Sequence, residues 1–118
     1  MSRDTSNNFV IQLGTSGGFI TSGYDSSSAV VTGTSSGSSS SGFVLINTND
    51  SHVFSGEFVI QKMSSSVYVE AHNMHRDGSV NPRVGAGKLT GISGTIDRLR
   101  MTALGGNFDS GSYTVYVE

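Results

Sequence analysis

Ser93-Gly-Thr-Ile-Asp-Arg-Leu-Arg-Met-Thr-Ala-Leu-Gly-Gly-Asn-Phe-Asp-Ser-Gly-Ser-Tyr-Thr-Val-Tyr-Val-Glu118 is the stretch that decides the fold class. From Ile96 to Thr102, Leu99 and Met101 alternate with Arg98 and Arg100; from Ser112 to Val117, Tyr113, Val115 and Val117 alternate with Thr114 and Tyr116. Side chains two apart share one face of a strand, so both runs read as extended. Between them Gly105-Gly-Asn-Phe-Asp-Ser-Gly111 holds residues that accept positive φ or bond to their own backbone, so the runs can double back as a hairpin or a wider connection. The expectation is two core-forming strands, with Leu99, Met101, Phe108 and Val115 buried.

Working upstream, the same period recurs. Phe9, Ile11 and Leu13 share a face opposite Val10 and Gln12 before Gly14. Phe43-Val-Leu-Ile46 is a short apolar run suited to a strand covered on both faces. Phe58 and Ile60 alternate with Glu57, Val59 and Gln61; Val67, Val69 and Ala71 alternate with Tyr68, Glu70 and His72. Glycines at 14, 17, 18 and 23 oppose a helix, each costing about 1 kcal/mol in a helix interior. Gly33 to Gly42 is almost only Ser and Gly and reads as a flexible loop. Asp77-Gly78 and Asn81-Pro82 are turn signals, and Gly85, Gly87, Gly91 and Gly94 suggest an irregular approach to Ser93. The expected fold is all-β: a single antiparallel β-sandwich, jelly-roll-like, of about seven or eight short strands over residues 1–118.

Only 35% of the residues are apolar, so a few large side chains, with Phe9, Phe43, Phe58 and Phe108 foremost, must carry the core. Each contributes about 1.5–3 kcal/mol when fully buried. A net charge of −2 without a basic stripe disfavours nucleic-acid binding. The chain has no cysteine, which excludes disulfides and thiolate metal sites. No run approaches the ~20 apolar residues a membrane span needs, and Met1 to Asn8 has no apolar signal core, so a soluble protein is expected.

Catalytic patterns fail on their contexts. Gly14-Thr-Ser16-Gly-Gly18 and Gly33-Thr-Ser35-Ser-Gly37 match G-x-S-x-G, but neither precedes the helical pattern that a nucleophile elbow requires. Gly85-Ala-Gly87-Lys88-Leu89 lacks the hydroxyl that must follow the lysine of a phosphate loop. No cofactor is implied. His72 and His75, with Asp77, could share a metal across a bend, although on a straight strand the two rings point to opposite faces; a polar strand end is the alternative. Arg98 and Arg100 share a face and could bind a carboxylate or sulfate, or pair with acids on a neighbouring strand. Tyr24, Tyr68 and Tyr116 could stack on sugars or serve as sandwich aromatics.

Ser93-Gly-Thr-Ile-Asp-Arg-Leu-Arg-Met-Thr102, Gly105-Gly-Asn-Phe-Asp-Ser-Gly111 and Tyr116 together resemble the closing segment of small β-sandwich domains of tailed-bacteriophage virion proteins, of the tail-fibre and receptor-binding type. Phe9 to Gly18, Ser22-Gly-Tyr24, Ser41-Gly-Phe43 and Gly56-Glu-Phe58 extend the resemblance over most of the chain. One departure is that such domains begin with an extra apolar strand before the segment matching Ser2 to Ser6, so an N-terminal strand is lacking or a neighbouring chain covers that edge. The resemblance implies a non-enzymatic virion component, a homotrimer among other virion proteins; the loops Gly33–Gly42 and Arg76–Gly87, long and polar on a rigid sandwich, are the ones expected to face a host surface glycan or protein. Tyr24, Tyr68, Arg76, Asp77 and Arg83 are the expected contacts. The alternative is a free-standing carbohydrate-binding module with a tyrosine platform.

Overall fold

The computed structural model describes residues 2–3, 9–31, 36–46, 54–76, 82–103, 108–110 and 114–116. Its strands are β1 (Ser2–Arg3), β2 (Phe9–Thr15), β3 (Gly18–Phe19), β4 (Tyr24–Val30), β5 (Ser36–Ser39), β6 (Phe43–Ile46), β7 (Phe54–Ser64), β8 (Val67–Arg76), β9 (Arg83–Leu89), β10 (Arg98–Ala103) and β11 (Phe108–Ser110). Nine of these are three residues or longer. Two antiparallel sheets pack face to face as a β-sandwich. The larger runs β5-β4-β9-β8-β7; in the smaller, β2 is central, with β10 along one side and β3 and β6 along the other. β1 and β11 form a separate antiparallel pair.

β2 is the strand around which the core is built. Phe9, Ile11 and Leu13 point between the sheets, and Val10 and Gln12 on the opposite face are buried as well. Gly42 explains part of that second cover: a Cβ on it would lie 2.8 Å from the Val10 Cβ, so the chain entering β6 runs directly over Val10. From the larger sheet come Tyr24, Phe54, Met74 and Leu89, while Phe43 and Leu45 enter from β6. Tyr24 and Phe43 meet edge to face, with centroids 5.0 Å apart. Phe9, Phe43 and Phe54 are fully buried, and Phe58 is half-buried at the margin.

Among the described residues, no closing hairpin forms. β10 pairs with β2 over six residues, from Arg98 opposite Gly14 to Ala103 opposite Phe9. Residues 114–116 are not in a strand, and Val115 and Tyr116 are 48% and 88% exposed. The alternation in β10 is satisfied by a strand far away in sequence: Leu99 and Met101 sit opposite Leu13 and Ile11 and share their core face. Residues 112–113 and the side chain of Phe108 lie outside the described residues.

Two further readings change. The Ser/Gly tract contains β5, which pairs with β4 from Ser26–Ser39 to Ala29–Ser36. An edge strand of this kind needs backbone partners rather than apolar side chains. Gly85 and Gly87 are interior positions of β9 and not irregular chain. Gly91 and Gly94 do mark irregular chain, at φ of +70° and +100°. Among the described residues no helix is long and apolar enough to cross a membrane.

Candidate functional site

The larger sheet brings an acid, an imidazole and a hydroxyl into line. Glu70 and His72 are two apart on β8 and share its inner face. Opposite His72 stands Gly85 on β9, and opposite Gly85 stands Ser28 on β4. With no side chain between them, the His72 ring spans the Gly85 position. A Cβ there would lie 2.5 Å from His72 Cε1 and 2.7 Å from Nε2. His72 Nδ1 is 2.8 Å from Glu70 Oε2, and Nε2 is 3.1 Å from Ser28 Oγ. That is the connectivity of a nucleophile, base and acid.

The direction of its hydrogen bonds is different. Ser28 donates its hydroxyl proton to the Leu45 carbonyl across the sandwich, at 3.1 Å. The His72 Nε2–H then donates to Ser28 Oγ, so this nitrogen has no lone pair with which to take a proton from the serine. The bond at Nδ1 is completed by one proton held between imidazole and carboxyl. All three residues are buried, Ser28 to 1% exposure. Burial pushes the Glu70 carboxyl up from its ordinary value, and the hydrogen bond and charge of His72 only partly oppose this. The neighbouring Ser26 accepts from the Val44 N–H at 2.8 Å. The two serines of β4 thereby supply backbone partners to β6 and join the sheets.

On the outer face of the smaller sheet lies a second, accessible cluster. Arg98 and Arg100 project from β10 on one side, opposite Gly14 and Gln12. The Arg100 guanidinium stacks over the Phe19 ring, 4.3 Å from its centroid, and its Nε donates to Gln12 Oε1 at 2.8 Å. Buried Gln12 is itself anchored, its Nε2 donating to the Ser41 carbonyl at 2.6 Å. Arg98 Nε donates to Asp97 Oδ1 at 2.8 Å; this bond holds the Asp97 carboxyl below its ordinary value and the guanidinium above its own. The aliphatic part of Arg98 crosses Gly14, where a Cβ would lie 2.6 Å from its Cγ.

The expected contact residues do not form one surface. Tyr24 is buried: the Leu13 N–H donates to its oxygen and its hydroxyl donates to the Ile20 carbonyl, each at 2.9 Å, so it belongs to the core and not to a sugar platform. Burial also pushes its phenol up. Arg83 is 3% exposed, with its guanidinium 4.9 Å from the Phe54 ring centroid, because alternation along β9 turns it inward. Tyr68 is half-buried against the core, and Tyr116 is exposed. Arg76 ends β8 and Asp77 lies outside the described residues. His72 faces inward and His75 outward, so β8 separates that pair, and no group of three His, Cys, Asp or Glu could hold a metal among the described residues.

Sequence reasoning passed over Ser28, Glu70, Gly85, Gln12 and Phe19. The alternation Tyr24, Ser26, Ser28, Val30 and the two-residue step from Glu70 to His72 were available signals. Comparison with protein-family models, curated proteins and solved structures finds no match for this chain.

Proposed function

We propose that this sandwich is a non-enzymatic structural and adhesive module of a bacteriophage particle, presenting loops to a host surface glycan or protein. The observation that carries the reading is where the larger sheet ends. Val30 of β4 pairs with Arg83 of β9, Arg83 with Met74 of β8, and Arg76 with Phe54 of β7. The chain therefore leaves β4 and β8, and enters β9 and β7, at one end of the sheet. The connections 31–35 and 77–82 start from neighbouring points on a rigid frame, the arrangement from which binding loops usually work. The resemblance of the closing segment to phage virion sandwiches supplies the particle. Ser28, the serine aligned with an imidazole and an acid, is sealed in the core, which supports a binding role over a catalytic one.

The test is exchange of residues 32–35 and 77–81 for Gly/Ser segments of equal length within the assembled particle. Adsorption to host cells is expected to fall while particle assembly is unchanged. Unaltered adsorption removes the adhesive part and leaves a structural one.

A further inference from the structure

We propose that the outer face of the smaller sheet around Arg100 is an anion subsite, which takes the carboxylate of an acidic saccharide. The proposal depends on the adhesive reading only in naming a saccharide as the carrier. Arginine recognises carboxylates through a planar fork of N–H donors, and its long side chain ordinarily loses rotamer freedom on binding. Here that freedom is already removed. Phe19 supports one face of the Arg100 guanidinium and Gln12 fixes its Nε. Gln12 is 2% exposed and held in turn by the Ser41 carbonyl, so a buried amide on the central strand positions an exposed cation. The two terminal nitrogens of Arg100 make no hydrogen bond among the described residues. They form a preset fork open to a bidentate acceptor.

The surroundings select the class of ligand. Asp97 occupies the Nε and Nη2 of Arg98, at 2.8 and 3.4 Å, and neutralises most of its charge. The free positive charge is thus concentrated on one guanidinium, too little for a run of phosphates but matched to a single carboxylate. The half-buried Phe19 ring beside it is an apolar neighbour for a sugar ring. Gly14, opposite both Arg98 and Phe19, leaves the space that the aliphatic part of Arg98 fills.

The test is titration of the 15N-labelled chain with a glucuronate-containing tetrasaccharide, a neutral glucose tetrasaccharide and sodium acetate, following the Arg100 Nε–H and the Gln12 and Phe19 amides. The acidic saccharide is expected to move these signals and the neutral one to leave them. Arg100→Ala and Arg100→Lys should each weaken binding at least about tenfold, since an ammonium cannot present the fork. Arg100→Lys keeps a donor for Gln12 Oε1 and should lower the unfolding midpoint by no more than about 4 °C, which separates lost recognition from lost structure. Equal response to the neutral saccharide, undiminished binding by Arg100→Ala, or no response to the acidic saccharide would overturn the proposal. Binding of acetate with no added affinity for the saccharide would overturn its saccharide part. Adsorption lost on loop exchange with a silent Arg100 removes this subsite alone; an Arg100 response with unchanged adsorption removes the loop reading alone.

Discussion

Truncating Glu70 tests whether the buried chain of hydrogen bonds is structural. Glu70→Ala deletes the partner of His72 Nδ1 and leaves that nitrogen facing a buried cavity. Truncating a buried side chain of this length and leaving its partner nitrogen unpaired costs about 3–5 kcal/mol. Against a domain stability of roughly 5–15 kcal/mol, this is at least a fifth of the total. Glu70→Gln keeps the volume and offers an amide N–H to Nδ1, while the Nε2–H to Ser28 Oγ is untouched, so the loss should stay near ~1 kcal/mol. The chain has four tyrosines and no tryptophan, so urea unfolding is best followed by far-UV circular dichroism with tyrosine emission as the second probe. At about 4 °C per kcal/mol, Glu70→Ala should lower Tm by roughly 10–20 °C. Equal losses for the two substitutions, or less than about 1 kcal/mol for Glu70→Ala, would refute the assigned hydrogen-bond direction.

Other consequences follow from the same geometry. Glu70 has a raised carboxyl in the folded state, so the fold prefers its protonated form; the stability this contributes is complete below the unfolded value of 4.5 and is lost as pH rises through the folded value. Wild type should therefore lose stability relative to Glu70→Gln on going from acid toward neutral pH, with a slope of at most about 1.4 kcal/mol per pH unit; a flat difference would count against it. Ser28→Ala removes both the donor to Leu45 and the acceptor from His72 and should cost about 2–4 kcal/mol in urea unfolding, whereas Ser27→Ala, on the outer face, should stay within about 0.5. Gly85→Ala drives a methyl into the His72 ring and the Ser27 carbonyl and should cost about 1–3 kcal/mol, a loss that its partial recovery in a His72→Ala background would assign to the ring.

Much of the fold was legible locally. Phe9-Val-Ile-Gln-Leu13 and Phe43-Val-Leu-Ile46 announce themselves as strands because apolar period and β-branched content coincide there. β4 was obscured because serine is normally a turn residue; its strand character depends on partners in β6 and β8 that lie far along the chain. β9 was obscured because glycine ordinarily weakens a strand, whereas Gly85 and Gly87 are spaces that the His72 ring, Ser26 and Phe43 fill.

The sequence by itself determined the all-β class, the inward set on β2 and the charged outer face of β10, since these follow from a two-residue period and need no knowledge of neighbours. Only the tertiary structure decided that β10 pairs with β2, far away in sequence, and β11 with β1. It alone set Tyr24 and Arg83 inside the sandwich, joined Glu70, His72 and Ser28 across an empty glycine position, and placed a buried glutamine behind Arg100. The physical reason is the same in each case. Alternation specifies which face a side chain takes, but contacts across a sheet or between sheets depend on register, and register is chosen by the whole core at once.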